Sequence, residues 1–394
     1  MNKKIIIPCA IGVVILIVII FSSIGGSKIL IDIPSQPVPA SISDSIILKV
    51  YMENSGSMDA YMCPGSTLKD AVYDYVSDAS KVAIRTDLFY INSNIIPFNG
   101  DLDNYIKNLT PQAFAHAGGN RANTDLRDIF KKVLKAHQSN TITVFVSDCI
   151  LDIPQKATDF FGNCQISIKN TFNTALQQFP TLGVQIVKMM STFDGYWYCG
   201  QNRENLSQVK RPYYIWIIGE KNILEKLNKD APVDNIYNGI TEYCAYVPKI
   251  NIPYDMQVKT HMINHSGKIS VQLLANLSGT LQNENVITNL AQYSISNPSS
   301  VDIESISPVT AAGTKYSHVI NLTLTSPETL KRVDISFTYP YLASWVESSN
   351  DDTGTNVKSN LDKTTGIKYL ITGVAEAYKN YTNCCHFCFD IKNK

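Results

Sequence analysis

Three short stretches of this 394-residue chain place oxygen ligands where the chain is about to turn. Glu53, Ser55 and Ser57 follow the apolar run Val50-Tyr51-Met52 and alternate with Asn54 and Gly56, so a carboxylate and two hydroxyls leave a strand end together. Thr124 stands at a helix start in Asn123-Thr124-Asp125-Leu126, and Asp148 closes the segment Val144-Phe145-Val146-Ser147. Two carboxylates and three hydroxyls form the hard oxygen set that suits Mg²⁺, with Mn²⁺ or Ca²⁺ as alternatives. Glu53, Ser55, Ser57, Thr124 and Asp148 are therefore the candidate metal residues. Each also has a plainer role: a turn and helix cap for Asn54–Ser57, an N-cap for Thr124, a strand-ending turn for Asp148. Asp59, Asp125 and Asp152 lie close by in sequence and read as capping, solvated or outer-ring acids.

The elements that must position these groups can be read from periodicity. Ile46–Met52 is apolar almost throughout, as a buried strand is. Leu68, Val72, Tyr75, Val76 and Val82 recur at helical spacing, and Ile84–Ile91 reads as a strand. Leu126, Ile129, Phe130, Val133 and Leu134 form one stripe, with Arg127, Lys131, Lys132 and Lys135 outside it, which predicts an amphipathic helix. Thr141–Val146 is the next buried strand. A helix near 166–179, strands near 184–190 and 213–218, and a helix near 222–227 follow. This alternation predicts an α/β fold with a doubly wound, mostly parallel sheet and right-handed crossovers. In such sheets ligands bind beyond the carboxyl ends of the strands, where Glu53–Ser57 and Asp148 stand.

Taken in order, Glu53-x-Ser55-x-Ser57, Thr124 and Asp148 resemble the von Willebrand factor A domain and its metal-ion-dependent adhesion site, whose first motif is Asp-x-Ser-x-Ser. Glu53 stands where that family has Asp, and its extra methylene carries the carboxylate further out. The resemblance covers roughly residues 45–245. It implies one metal position left open for an acidic group on a protein partner.

From about residue 250 the pattern changes to period two. Met256–Met262, Lys268–Leu274, His318–Leu324 and Arg332–Tyr339 alternate between turn-rich segments, which predicts an antiparallel, β-sandwich-like region or insert. A last helix over 365–378 carries Ile367, Leu370, Ile371, Val374 and Ala377 on one side and is placed to pack back on the first domain. The expected organisation is an anchor over 1–24, a Pro-containing linker over 25–44, the α/β domain over 45–248, the β-rich region over 249–350, and a helix with a Cys-rich tail over 351–394.

Residues 5–24 contain no charge, and Lys3 and Lys4 precede them. About 20 helical residues span a bilayer core, and the flanking lysines favour a cytoplasmic N-terminus. The expectation is a single-pass protein of the cell membrane with most of its chain outside the cytoplasm. A cleaved signal peptide is the rival, but no clean small-x-small cleavage site precedes the polar linker. Cys9 lies too early for a lipoprotein signal. The 34 basic and 34 acidic residues balance, and no basic cluster or aromatic-basic motif points to nucleic acid.

Nine cysteines fit an exported chain. Cys149 and Cys164 bracket the loop after Asp148 and are a candidate disulfide. Cys384, Cys385, His386 and Cys388 cluster near the C-terminus, but zinc-finger spacing would need a second ligand pair that is missing, so disulfides are the expected use. Ser55 or Ser57 with His116 and Asp148 supplies the residue types of a hydrolase triad. Asn-Ser-Gly-Ser-Met is not the Gly-x-Ser-x-Gly elbow, however, and no enzyme is expected. The reading that follows is a membrane-anchored, metal-assisted protein-binding module of adhesion or assembly type at the cell envelope. A metal-independent scaffold is the alternative. Partner identity and oligomeric state are not legible.

Overall fold

The structure is a computed structural model that describes residues 28–36, 45–122, 124–154, 159–309 and 314–394. Strand β1 (Lys28–Asp32), in the stretch read as linker, joins a sheet built otherwise by the second half of the chain. The central seven-stranded sheet uses β2 (Ile47–Glu53), β3 (Arg85–Ile91), β4 (Ile95–Phe98), β5 (Thr141–Ser147), β6 (Leu182–Cys199), β7 (Asn202–Glu220) and β8 (Glu242–Tyr246), in the order β4-β3-β2-β5-β7-β6-β8.

Only two of its six pairings are parallel, those of β2 with β3 and with β5. The other four, β3–β4, β5–β7, β6–β7 and β6–β8, are antiparallel. The expectation of a doubly wound, mostly parallel sheet of the von Willebrand factor A type is thus corrected. Connection length is the physical reason. A parallel crossover needs about a dozen residues or more. The chain between β6 and β7 has only Gly200 and Gln201, and Gly200 adopts a left-handed φ of 59° there, so the two strands must form a hairpin. The short link from Ile91 to Ile95 turns β4 back in the same way.

The helices pack on this sheet as their stripes dictate. Helix 126–135 buries Leu126, Ile129, Phe130, Val133 and Leu134. Phe130 meets Trp216 of β7 and Phe145 of β5 with ring centroids 4.7 and 5.5 Å apart. Emptying such a position typically costs about 3–5 kcal/mol.

The rest of the chain forms two antiparallel sheets. One runs β13-β14-β11-β9, from β9 (Tyr254–Met256), β11 (Lys268–Ala275), β13 (Val301–Pro308) and β14 (His318–Thr325). The other runs β10-β1-β18-β15-β12, from β10 (Thr260–Met262), β12 (Tyr293–Ile295), β15 (Arg332–Thr338) and β18 (Asn383–Asn393) together with β1. Burial alternates along β11, β14 and β15, so each presents one face to the core. A two-residue parallel pair, β16 (Asn350–Asp351) with β17 (Thr364–Thr365), precedes helix 367–377. That helix lies against helix 160–178. A Cβ on Gly373 would sit 2.6 Å from the Gln165 carbonyl oxygen, and Gln165 Nε2 donates to Glu376 at 2.6 Å.

The proposed anchor at 5–24 falls outside the described residues. Among those described, no helix is long and apolar enough to cross a membrane. The expectation of a single-pass membrane protein is corrected accordingly and is not carried further.

Candidate metal centre

All five candidate oxygen residues line one cleft of about 390 Å³, together with Arg121, Ala122, Asp152, Tyr198 and Gly200. Parallel pairing brings them there. β2 and β5 lie side by side in the same direction, with Met52 opposite Val146, so their carboxyl ends deliver Glu53 and Asp148 to the same edge. Ser57 opens a short 3₁₀ turn, Ser57–Tyr61, immediately beyond.

Glu53 is 3% exposed and Asp148 2%. A Glu53 carboxylate oxygen accepts from the Ser147 hydroxyl, and Ser55 also donates to this carboxylate. Asp148 accepts from Ser57 and, at 3.3 Å, from the Ile150 N–H. The Ser55 and Ser57 hydroxyl oxygens stand 3.2 Å apart. Burial, and secondly the charge of Asp148, push the Glu53 carboxyl up to about 8. Burial also raises Asp148. Two carboxylates cannot both ionise comfortably in such a place without a compensating cation.

Two buried oxygens in this group have no hydrogen-bond partner among the described residues, Asp148 Oδ2 and Thr124 Oγ1. The second settles Thr124's role at the helix start: Asp125 is the N-cap, its side chain accepting the Arg127 N–H at 2.9 Å. Thr124 is thereby left with its hydroxyl unused, beside an anionic pair. Buried polar groups usually find partners, and those that do not call for an explanation such as strain, a water, an ion or a functional role.

Arg121 went unnoticed in the sequence. Its Nε donates to the Asn54 carbonyl at 2.7 Å, and its Nη2 to the Ser55 carbonyl at 3.2 Å and to Asp59 Oδ1 at 2.5 Å. One guanidinium thus holds the Glu53–Ser57 loop in place. No spacing signal marks it, because its partners lie more than 60 residues away. Asp59 is its ion-pair partner, and Asp152 accepts the Gly200 N–H at the β6–β7 turn. Cys149, next to Asp148, has a left-handed φ of 56°, an uncommon conformation for a side-chain-bearing residue. Such conformations gather at functional sites.

The candidate disulfide does not form. Cys149 and Cys164 are both free, as are the other described cysteines. The Cys149 sulfur accepts from Trp216 Nε1 at 3.2 Å inside the core, whereas Cys164 lies on helix 160–178 near Arg127 and Asp125. His116 is exposed, bonded through Nδ1 to the Gln112 carbonyl, and does not line the cleft, so the hydrolase triad is not assembled. Trp197 and Trp345 are both core residues.

Compared with protein-family models, with curated proteins and with solved structures, the chain matches none of them.

Proposed function

We propose that this cleft binds a divalent cation, Mg²⁺ in the first instance, and through the cation an acidic group on a partner protein. The observation that carries the reading is the buried Glu53–Asp148 pair beside two unsatisfied oxygens, Asp148 Oδ2 and Thr124 Oγ1. A dication would remove the repulsion between the carboxylates and satisfy both orphans at once. Ser55 and Ser57 would contribute neutral oxygens, and Glu53, already engaged by Ser147 and Ser55, would act directly or through water. Mg²⁺ keeps part of its water shell, and the cleft is open to solvent, so an incoming carboxylate has a water to displace.

The test is calorimetric titration of Mg²⁺ and Mn²⁺ into the protein, the Ser55→Ala/Ser57→Ala double variant and Asp148→Ala. Saturable binding lost in both variants is the expected result; unchanged affinity in either would sink the site. The partner step is read separately. A short Glu-containing peptide should lower water-proton relaxation at the Mn²⁺-loaded protein, and no change would remove the acidic group from the proposal.

One observation favours a second reading. The raised Glu53 carboxyl can hold its proton at neutral pH, which would relieve the repulsion without metal and leave a metal-independent scaffold. Partner capture that survives chelation would select it.

A further inference from the structure

The Cys-Cys-His-Phe-Cys segment lacked a second ligand pair in sequence, and the fold supplies one ligand from the facing strand. In β18, His386 and Cys388 are two residues apart and share a face. In β15, Asp334 is the register partner of Cys388, and Ser336 that of His386. Asp334, His386 and Cys388 therefore converge, with their ligand atoms all within 4.8 Å of one another. His386 Nε2 lies 3.0 Å from Asp334 Oδ1. Cys384 and Cys385, by contrast, are wholly buried in the core.

The surroundings suit a bound ion. The Arg332 Nε reaches both Asp334 oxygens, at 3.1 and 3.2 Å. If a cation takes one oxygen, the other stays bonded to Arg332, which orients the ligand as outer partners do in metal sites. Among the described residues, β18 has no strand neighbour at Cys388 on its other side; the Tyr254 hydroxyl takes that place, accepting the Cys388 N–H and donating to its carbonyl, both at 3.1 Å. The same hydroxyl lies 3.6 Å from the Cys388 sulfur. The cysteine backbone is thus held while its thiol faces the His–Asp pair.

We propose that Asp334, His386 and Cys388 form a site for a Zn²⁺-class transition-metal ion, with a fourth position open to water. One thiolate, one imidazole and one carboxylate match zinc and its neighbours rather than Mg²⁺. Tetrahedral zinc places such ligand atoms roughly 3.3–3.6 Å apart, so the His–Asp spacing is nearly right and the Cys388 sulfur needs to move by no more than about 1 Å. His386 and Asp334 are 39% and 33% exposed, which gives the ion a path in and water its position. Binding replaces the Cys388 S–H bond with an S–metal bond and releases that proton to solvent, so affinity rises with pH. The ion would staple β15 to β18, the strand that also pairs with β1.

Co²⁺ titrated into the full chain tests this, with near-ultraviolet thiolate-to-cobalt absorption as the readout. The oxygen cleft cannot produce that signal. One equivalent should develop the band, and Zn²⁺ should bleach it. Cys388→Ser should abolish it, Asp334→Asn should weaken Co²⁺ at least tenfold, and Asp148→Ala and Cys63→Ser should leave it intact. His386→Ala, at an exposed position, provides a second removal should Cys388→Ser fold poorly, and it too should weaken Co²⁺ at least tenfold. No thiolate band in the unaltered protein, or a band that survives Cys388→Ser, would overturn the proposal, as would unchanged affinity in His386→Ala.

Discussion

The cleft at the end of β2 and β5 and the outer face of β15 and β18 both gather acidic groups, but they treat charge in opposite ways. In the cleft, Glu53 and Asp148 are buried together, with hydroxyls and backbone N–H as donors and no cationic side chain bonded to either carboxylate. On the β face, Asp334 is one-third exposed and already paired with Arg332 and His386. Burial turns a pair that the charge of Arg211 offsets only in part into a stored electrostatic load, whereas exposure and ion pairing leave almost none. The cleft therefore has more to gain from a hard dication. The β face can gain from a metal only through the directional bonds of a thiolate and an imidazole.

The contrast predicts a pH dependence that only the cleft should produce. A carboxyl whose folded value is raised binds more protons folded than unfolded. In chelator, the contribution of Glu53 to stability should therefore fall as pH rises from the ordinary carboxylate range near 4.5 through about 8, the interval over which Glu53 is shifted. The loss should be at most about 5 kcal/mol, and less if the pair shares one proton. Saturating Mg²⁺ should flatten the slope. Urea melts of the protein and of Asp148→Ala at several pH values, with and without Mg²⁺, measure it, because the difference between the two cancels the opposite contribution of buried His137, which burial holds down to about 4; identical profiles in chelator would mean that the carboxylates are not repelling each other.

Asp148→Ala removes one charge of the pair and should weaken Mg²⁺ more than 100-fold, about 3 kcal/mol by the affinity relation. The same change should flatten the chelator pH profile. Smaller is the effect of Arg121→Ala, which strands the Asn54 and Ser55 carbonyls and Asp59. A loss of about 1–3 kcal/mol in folding stability is expected by chemical denaturation. Smallest and sharpest is Thr124→Val. Since Thr124 Oγ1 bonds to no group among the described residues, stability should stay within about 0.5 kcal/mol. Mg²⁺ affinity should nevertheless drop about tenfold, roughly 1.4 kcal/mol. A stability loss without an affinity loss would return Thr124 to a structural role.

Much of the cleft was legible because its parts are local. An apolar run breaking at Glu53, a helix stripe starting at Leu126 and an apolar strand ending before Asp148 each announce an element end within a few residues. Parallel pairing of β2 with β5 then suffices to bring those ends together. Arg121 was not legible, because it acts on carbonyls that any residue possesses. The sheet's direction was misjudged at β6 and β7. Their apolar cores match the expected strands near 184–190 and 213–218, but the polar outer halves of both strands lie beyond those expected ranges, which hid the two-residue turn between them.

Composition and periodicity alone determined that the chain holds an α/β part followed by a β-rich part, and that oxygen ligands stand at the ends of buried strands. These features follow from side-chain pattern, which is written residue by residue. Tertiary structure alone decided the antiparallel course of β4, β6, β7 and β8, the choice of helix 160–178 as the surface on which the expected return of helix 367–377 lands, and the meeting of Asp334 with Cys388. Each of these depends on register or on contact between segments far apart in the chain. Nothing in either segment by itself encodes which partner it will face.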